Sequence, residues 1–222
     1  MPLCQDSAEP SNRFPGADLP LSVVPGSVFL VTAEAFWELM EACRRQAVGK
    51  EARLVWLQDD LSRRPPAEIV EFHMRLEQVA CQAFTWELMA AAQRIFGGRC
   101  TDDDFEYFGL WMVGLGRDTF GRAVLDPDTL ADAPEVLALT GRHWRTWGED
   151  WPGWELLDYV ASEAYGLVTG DSEDFYAALE DQRNEYAVGS GLTGERWNVR
   201  DEDEATHRLP RLSVMFPLSE DS

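Results

Sequence analysis

A stripe of polar and aromatic residues marks one predicted helix of this sequence. Its members follow at spacings of three, four, three and four residues: Asp104, Tyr107, Trp111, Gly114 and Asp118. Such spacings place side chains on one side of a helix. Two carboxylates, a phenol and an indole around a glycine would line a groove for a cationic or hydrogen-bonding ligand. The alternative is that the two aromatic rings pack at the core edge while the aspartates are solvated.

Two further polar residues, His73 and Glu87, fall on an apolar helix face, where a polar group needs a partner. Arg94, two turns beyond Glu87, is one candidate partner. Arg117, from the next helix, is another, and it joins the stripe as a candidate ligand-binding residue. If His73 and Glu87 share a cavity with the stripe, they are candidates for a catalytic acid and base. Otherwise they are an edge histidine and a structural ion pair.

Standard metal, nucleotide and hydrolase motifs are absent from the sequence. The three histidines form no HExxH or HxxxH pair and the four cysteines form no CxxC pair, which argues against a zinc site. The run Asp102–Asp104 lacks the spacing and the glycine of a calcium loop. No GxxxxGK[ST], GxGxxG or GxSxG pattern occurs. We therefore expect no metal and no cofactor.

The charge of the chain limits its partners. The 222 residues carry a net charge of −21, and Lys50 is the only lysine among 19 basic residues. A field this negative repels nucleic acids and anionic membranes, so we expect direct binding to neither. It suits a basic protein or peptide, or a cationic small molecule. The plainer alternative is that the charge serves solubility.

The amino-terminal region and the cysteines predict a cytoplasmic protein. The apolar stretch over residues 21–31 is interrupted by Pro25 and Gly26, which argues against a signal peptide. No apolar run approaches the length of a membrane span. The four cysteines are far apart in the sequence, and reduced thiols are then the expected state.

The periodicity of apolar residues predicts an all-α fold, a compact multi-helix domain with extensions at both ends. Residues 1–30 are rich in proline and read as an extended arm, with a short strand at Val28–Val31. Residues 31–170 form the helical core domain. The predicted helices start after Thr32, cover about 51–62, 67–96 with a break near the middle, a stretch after Thr101, 135–139 and 154–169.

Residues 171–222 form an acidic carboxyl-terminal segment that we expect to be loose. Between Asp171 and Glu204 there are eleven acidic residues and three arginines, together with three glycines. A helix is predicted near Glu173–Arg183, and the apolar tail at 208–216 is a candidate to dock on the domain.

The three consecutive aspartates have a structural explanation. Thr101 stands where an N-cap belongs, and Asp104 follows at the position of the acidic partner in a capping box. Asp102 and Asp103 fall in the first turn, near the positive end of the helix dipole. This explanation requires no metal ion.

Four tryptophans, at positions 144, 147, 151 and 154, are separated by a glycine and a proline that interrupt any single helix. We expect an aromatic connection folded onto the core. If exposed, the same residues would form a binding surface.

Two stretches carry a family resemblance: FWELMEACR at 36–44 and TWELMAAAQRIFGGRCTDDDFEYFGLWMVGLGRDTFGRAVLDPDTLAD at 85–132. They resemble the bacterial "domain of unknown function 4240" family. The resemblance runs over about residues 32–170, with a weaker final block at 155–170. It implies a compact helical domain, and it implies no catalytic residue because no activity comes with the family.

Two functional hypotheses follow from these observations. The first, which we favour, is an acidic protein that acts by binding a protein or peptide partner, since catalytic motifs are absent and the charge is large. The second is a small-molecule enzyme or ligand-binding protein that uses a polar and aromatic cavity between the central helices. A third, less favoured, is that the acidic surface imitates nucleic acid.

Overall fold

The structure is a computed structural model that describes residues 31–183 and 191–218. Most described residues are helical, and the only strand-like pairing among them is an isolated parallel bridge between Thr85 and Thr193. The all-α prediction is confirmed. The predicted arm over residues 1–30, with most of the predicted strand Val28–Val31, lies outside the described residues.

The helices are named in chain order. They are α1 (Ala33–Gln46), α2 (Lys50–Leu61), α3 (Pro66–Ala80), α4 (Trp86–Ile95), α5 (Asp102–Gly114), α6 (Arg117–Leu125), α7 (Pro134–Leu137), α8 (Leu156–Thr169), α9 (Glu173–Arg183), α10 (Glu202–Arg208) and α11 (Pro210–Met215). Short 3-10 helices lie at Cys81–Ala83, Pro127–Asp132, Trp144–Thr146 and Gly148–Asp150.

Threonine side chains begin three of these helices. The hydroxyl oxygens of Thr32, Thr85 and Thr101 each accept a hydrogen bond from the backbone N–H three residues later, at 3.1 Å. Each bond satisfies a donor that the first turn of a helix leaves unpaired. The predicted starts after Thr32 and Thr101 are confirmed. The predicted break in the helix over 67–96 is also confirmed, because α3 ends at Ala80 and α4 begins at Trp86.

Helices α3 and α8 form the centre of the bundle. Helix α8 packs mainly against α2 and α3, and α3 also contacts α1, α5 and α9. The core of the bundle contains large apolar side chains with almost no exposure, among them Phe36, Phe72, Phe105 and Phe108. Burial of such rings is the main favourable term for holding the helices together.

The described part of the acidic segment is packed on this bundle rather than loose. Phe175 of α9 is fully buried, and so is Leu212 of α11. Arg211 donates to the buried carboxylate of Asp128 at 2.9 Å and to Asp132 at 2.6 Å. These contacts attach α11 to the 3-10 helix Pro127–Asp132. The domain division at residue 170 stays a prediction.

No helix within residues 31–183 and 191–218 has both the length and the apolar composition of a membrane span.

Candidate functional site

The predicted stripe does not lie on one helix. Helix α5 ends at Gly114, and α6 begins at Arg117 after a turn in which Gly116 has a φ of +97°. A positive φ of this kind is adopted readily only by glycine, and it breaks the helical path. The single-helix placement of Asp118 is therefore wrong, since Asp118 lies in the first turn of α6 and is exposed.

Asp104 caps its own helix. Its side chain accepts hydrogen bonds from the backbone N–H of Thr101 at 3.0 Å and from the hydroxyl of Thr101 at 2.8 Å. The Thr101 hydroxyl accepts in turn from the Asp104 N–H, which completes the predicted capping box. The carboxylate is thus engaged in local structure. Across the described residues, no group of three or more His, Cys, Asp or Glu side chains is placed to hold a metal ion.

The two aromatic members of the stripe have different surroundings. Tyr107 is half-buried, and its hydroxyl donates to Glu155 at 3.2 Å. Desolvation, and then the neighbouring Glu155 carboxylate, raise the pKa of Tyr107. Trp111 is only 6% exposed and lines a cavity, as does Gly114 one turn later. Only this pair from the stripe converges on one site.

Arg117 is part of a surface ion pair instead of a ligand site. Its guanidinium donates to both carboxylate oxygens of Glu34 at 2.8 Å, and its backbone N–H donates to Glu41 at 3.0 Å. Both partners belong to α1. The expected pairing of Arg117 with Glu87 is therefore wrong.

His73 and Glu87 also belong to separate surroundings. His73 is buried on α3, with Nε2 3.6 Å from Glu77 and its ring edge against Phe175. Glu87 lies in the first turn of α4, and its carboxylate is 4.0 Å from the guanidinium of Arg208. Neither residue lines the cavity beside Trp111.

The expected Glu87–Arg94 pair is wrong as well. Arg94 is fully buried and donates instead to Glu202 at 3.0 Å and to the carbonyl of Val199 at 2.7 Å. Both partners come from the carboxyl-terminal segment, so Arg94 connects α4 with that segment.

The cavity beside Trp111, here named the Lys50 cavity, has a volume of about 210 Å³. It lies where α2, α5 and α7 meet the tryptophan-rich connection that precedes α8. Its lining residues are Gly49, Lys50, Arg53, Trp111, Gly114, Leu115, Glu135, Ala138, Glu149, Asp150 and Trp154. Ligand pockets for drug-sized molecules are usually about 300–1,000 Å³. The size of this cavity indicates a smaller ligand.

Lys50 fastens the tryptophan-rich connection to α2. Its ammonium donates to the carbonyl of Trp151 at 2.8 Å and to that of Gly153 at 3.1 Å. Burial lowers the pKa of Lys50, and the nearby carboxylates of Glu149 and Asp150 oppose this effect. The role of the ammonium is therefore largely structural, because it holds the tryptophan-rich connection against α2.

Arg53 is held by the ends of two helices. Its Nε donates to the carbonyl of Ala47, just after α1, at 3.2 Å, and its Nη1 donates to the carbonyl of Gly114, at the end of α5, at 3.2 Å. Helix carboxyl ends have unpaired carbonyls and a partial negative charge, so they bind cations well. Much of the donor capacity of Arg53 is thereby directed at the backbone.

Trp154 and Gly114 close one wall of the cavity. A Cβ atom on Gly114 would lie 2.6 Å from the indole of Trp154, a distance that only the absence of a side chain permits. The backbone N–H of Trp154 donates to the carbonyl of Tyr107 at 3.0 Å, which fixes the ring against α5. Of the four predicted tryptophans, Trp147 and Trp154 are buried, whereas Trp144 and Trp151 are half-buried. The cluster is therefore mainly core.

Carboxylates also line the Lys50 cavity. Asp150 binds Arg142 at 2.7 Å. Glu135, half-buried, and Glu149, exposed, have no hydrogen-bond or ion-pair partner among the described residues. In addition, the buried indole Nε1 of Trp154 has no hydrogen-bond partner there. The cavity thus combines fixed cations, two unpaired carboxylates and two indoles.

Sequence reasoning missed most of these residues. Trp111 and Gly114 belonged to the predicted stripe, but Lys50, Arg53, Glu135 and Glu149 were not among the candidates. Their positions in the chain share no spacing pattern, because tertiary packing brings them together. The one available signal was that Lys50 is the only lysine in the chain.

Comparisons with known proteins give the family and nothing further. A search of curated proteins found no match, and a search of solved structures found none. A protein-family model matches residues 31–166, more than half of the chain and a range that contains every residue lining the Lys50 cavity. The match confirms the resemblance drawn from the sequence, and the chain belongs to the family described as protein of unknown function (DUF4240).

Proposed function

We propose that this protein binds a small organic cation, of the amine class, in the Lys50 cavity. The observation that carries the proposal is the state of the charges around it. Lys50 and Arg53 donate to main-chain carbonyls, while Glu135 and Glu149 form no hydrogen bond or ion pair with the described residues, although Glu149 is near enough to Lys50 to act on its pKa. An ammonium group would supply the missing partner.

The aromatic wall supports the same ligand class. Trp111 and Trp154 bring two indoles to the cavity, and indole is the aromatic ring that attracts cations most strongly. Such a contact contributes about 0.5–2 kcal/mol, and a hydrogen bond to a charged group contributes about 1.5–3 kcal/mol. A carboxylate and an indole together are enough for measurable binding of a small amine.

The proposal is one of binding, because neither His73 nor Glu87 lines the cavity to act as an acid or a base. The other hypothesis, a basic protein or peptide partner, still rests on the charge of −21 and stays a prediction.

Isothermal titration calorimetry with matched small molecules tests the proposal. The probes are n-butylamine and benzylamine, with 1-butanol, benzyl alcohol and butyrate as neutral and anionic counterparts. We expect the amines to bind, and Glu135→Gln and Glu149→Gln to weaken that binding by about tenfold each, or about 1.4 kcal/mol. Glu38→Gln, at an exposed position of α1, is the control for loss of one charge.

Two results would overturn the proposal. One is equal affinity for amines and for the alcohols of the same shape. The other is that the Glu135 and Glu149 variants bind amines as the Glu38 variant does. If a lysine-rich peptide binds while none of the free amines does, the protein-partner hypothesis takes its place.

A further inference from the structure

A second concave site lies between α4 and the segment over residues 196–200, and we name it the arginine–tryptophan groove. One wall is formed by α4, with the half-buried Trp86 and Gln93, and the other is the segment over residues 196–200. Its volume is about 480 Å³, within the usual range of about 300–1,000 Å³ for small-molecule sites. Residues 196–200 lie beyond the part of the chain that matches the family.

Hydrogen bonds to main-chain carbonyls connect the two walls of the groove. The N–H of Trp86 donates to the carbonyl of Thr193 at 2.9 Å, and the N–H of Thr193 donates to the carbonyl of Phe84 at 3.0 Å. At the far end, Arg94 donates to the carbonyl of Val199 at 2.7 Å. The segment that forms the second wall is therefore attached to the helical bundle at both of its ends.

The charge of the groove is opposite to that of the whole chain. Arg196 and Arg200 line it, and among residues 31–183 and 191–218 no carboxylate does. The neighbouring carboxylates are already engaged, since Glu195 binds Arg208 at 2.9 Å and Glu202 binds Arg94 at 3.0 Å. The side chain of Asp201 accepts from a backbone N–H as the N-cap of α10. The guanidinium of Arg196 thus brings a positive charge to the groove on a protein of net charge −21.

Aromatic surfaces accompany these cations. The guanidinium of Arg196 lies over the ring of Trp86, 4.9 Å from its centroid. The indole Nε1 of Trp197 is buried and has no hydrogen-bond partner among the described residues. A buried donor without an acceptor is unfavourable by about 1–3 kcal/mol.

The floor of the groove is adapted to the close approach of an arginine. Gly98 has a φ of +82°, and a Cβ atom there would lie 3.0 Å from a guanidinium nitrogen of Arg200. Glycine adopts this positive φ readily, and its lack of a side chain leaves room for the Arg200 guanidinium. Side-chain amides of Gln93 and Asn198 add hydrogen-bonding groups to the same surface.

We propose that the arginine–tryptophan groove binds a small aromatic anion, a planar ring that carries a carboxylate or a phosphate. The ring of the ligand stacks on the Trp86–Arg196 pair, and its carboxylate or phosphate forms an ion pair with the guanidinium of Arg196. This site is separate from the Lys50 cavity and takes a ligand of the opposite charge, so it does not depend on the function proposed above.

Calorimetric titration of the full chain tests this assignment. The probes are benzoate and phenyl phosphate, with benzyl alcohol for a ring without charge and inorganic phosphate for a charge without a ring. We expect one or both aromatic anions to bind at least about tenfold more tightly than benzyl alcohol and inorganic phosphate. The preference between benzoate and phenyl phosphate then identifies the anionic group.

Single substitutions locate the binding. Arg196→Gln and Trp86→Leu are expected to weaken binding of the preferred aromatic anion by about fivefold or more, because each removes one partner of the stack. Arg45→Gln, at an exposed position of α1, changes the charge equally and is expected to leave the affinity unchanged. Circular dichroism melts of all three variants check that the fold is intact.

Three outcomes would overturn the assignment. The first is no heat of binding for either aromatic anion at millimolar concentration. The second is a loss of affinity in Arg45→Gln as large as in Arg196→Gln, which would mean that general electrostatics accounts for the binding. The third is binding of a single-stranded oligonucleotide alone, which would indicate a polymer instead of a small molecule.

Discussion

The Lys50 cavity and the arginine–tryptophan groove both place indoles beside charged side chains, yet they offer opposite charges to a ligand. In the cavity, backbone carbonyls occupy Lys50 and Arg53, and two carboxylates remain. In the groove, other arginines occupy the flanking carboxylates, and Arg196 remains over an indole. The charge available at each site therefore depends on which groups the fold has already paired, and the net charge of the chain does not predict it.

The two regions also differ in the parts of the chain that build them. All lining residues of the Lys50 cavity fall inside the family match over residues 31–166. The groove needs residues 196–200, which Arg94 and the Thr85–Thr193 bridge attach to the bundle. Substitutions should therefore affect one region without the other.

The largest expected effect comes from Arg94→Met. The change leaves the Val199 carbonyl and Glu202 without their fully buried partner, and we expect a loss of about 2–4 kcal/mol in the free energy of unfolding. Urea denaturation measures it. The affinity of the arginine–tryptophan groove for the aromatic anion should also decrease in this variant, whereas amines should still bind in the Lys50 cavity.

Arg63→Met is the matched control for Arg94→Met. Arg63, two residues beyond the end of α2, pairs with Asp59 of that helix, and its side chain is 70% exposed. Removing such a pair usually changes stability by about 0–1 kcal/mol. Equal losses in the two variants would show that Arg94 does not anchor the carboxyl-terminal segment.

Gly114→Ala is expected to have the next largest effect. The new Cβ would lie 2.6 Å from the Trp154 ring, so the ring or α5 must shift, at about 1–3 kcal/mol. Amine affinity should fall as the wall of the Lys50 cavity moves, and anion binding in the groove should not change. Thermal melts and the two titrations measure these effects.

Gly121→Ala in α6 provides the comparison for that substitution. Nothing lies within 4 Å of a Cβ at Gly121, so alanine should be neutral or stabilise the helix by up to about 1 kcal/mol. A Gly114→Ala variant that melts at the temperature of Gly121→Ala would contradict the close Trp154 contact.

A double substitution measures how independent the two sites are. We expect Glu135→Gln to weaken amine binding about tenfold and to change anion binding less than about twofold, with the reverse for Arg196→Gln. The double variant should show the sum of the two free-energy changes, as distant sites do. Calorimetry at constant ionic strength tests this. A clear departure from additivity would mean that one ligand controls the other.

The smallest expected effect concerns pH. Burial lowers the pKa of Lys50 in the folded protein, so between that pKa and about 10.4 the unfolded chain binds more protons. The free energy of unfolding of the wild type, relative to Lys50→Met, should therefore increase as the pH rises through this window and then level off. Denaturant titrations of both proteins from pH 8 to 10.5 measure the difference. A decrease would show that the carbonyl hydrogen bonds outweigh burial.

Local signals account for the features that the sequence predicted correctly. Thr101 and Asp104 are three residues apart, and the capping box they form needs no other part of the chain. The stop at Gly170, with a φ of +88°, likewise depends on nearby residues, whereas the break after Ala80 follows from the unusual length of the helical pattern over 67–96. Helix starts, helix stops and the all-α class were therefore readable from the sequence.

Contacts between distant residues account for what could not be predicted. Arg94 and Glu202 are 108 residues apart. Sequence reasoning considered residues closer in the chain and therefore named Glu87, wrongly, as the partner of Arg94. The prediction of a single helical stripe was wrong because the chain turns at Gly116, which has a positive φ, and a new helix starts after it. The regular spacing of the residues gave no sign of this turn. Lys50 and the carbonyl of Trp151, 101 residues apart, meet only because α2 and α8 pack together.

The single lysine has a consequence for proteolysis. A protease that cleaves only after lysine has one peptide bond to attack in this chain, between Lys50 and Glu51. That bond lies in the first turn of α2, where the Lys50 ammonium is tied to two carbonyls. Proteases require an extended backbone, so cutting depends on local unfolding of α2. The appearance of two fragments of known mass would therefore time the opening of this helix, and a ligand in the Lys50 cavity would slow it.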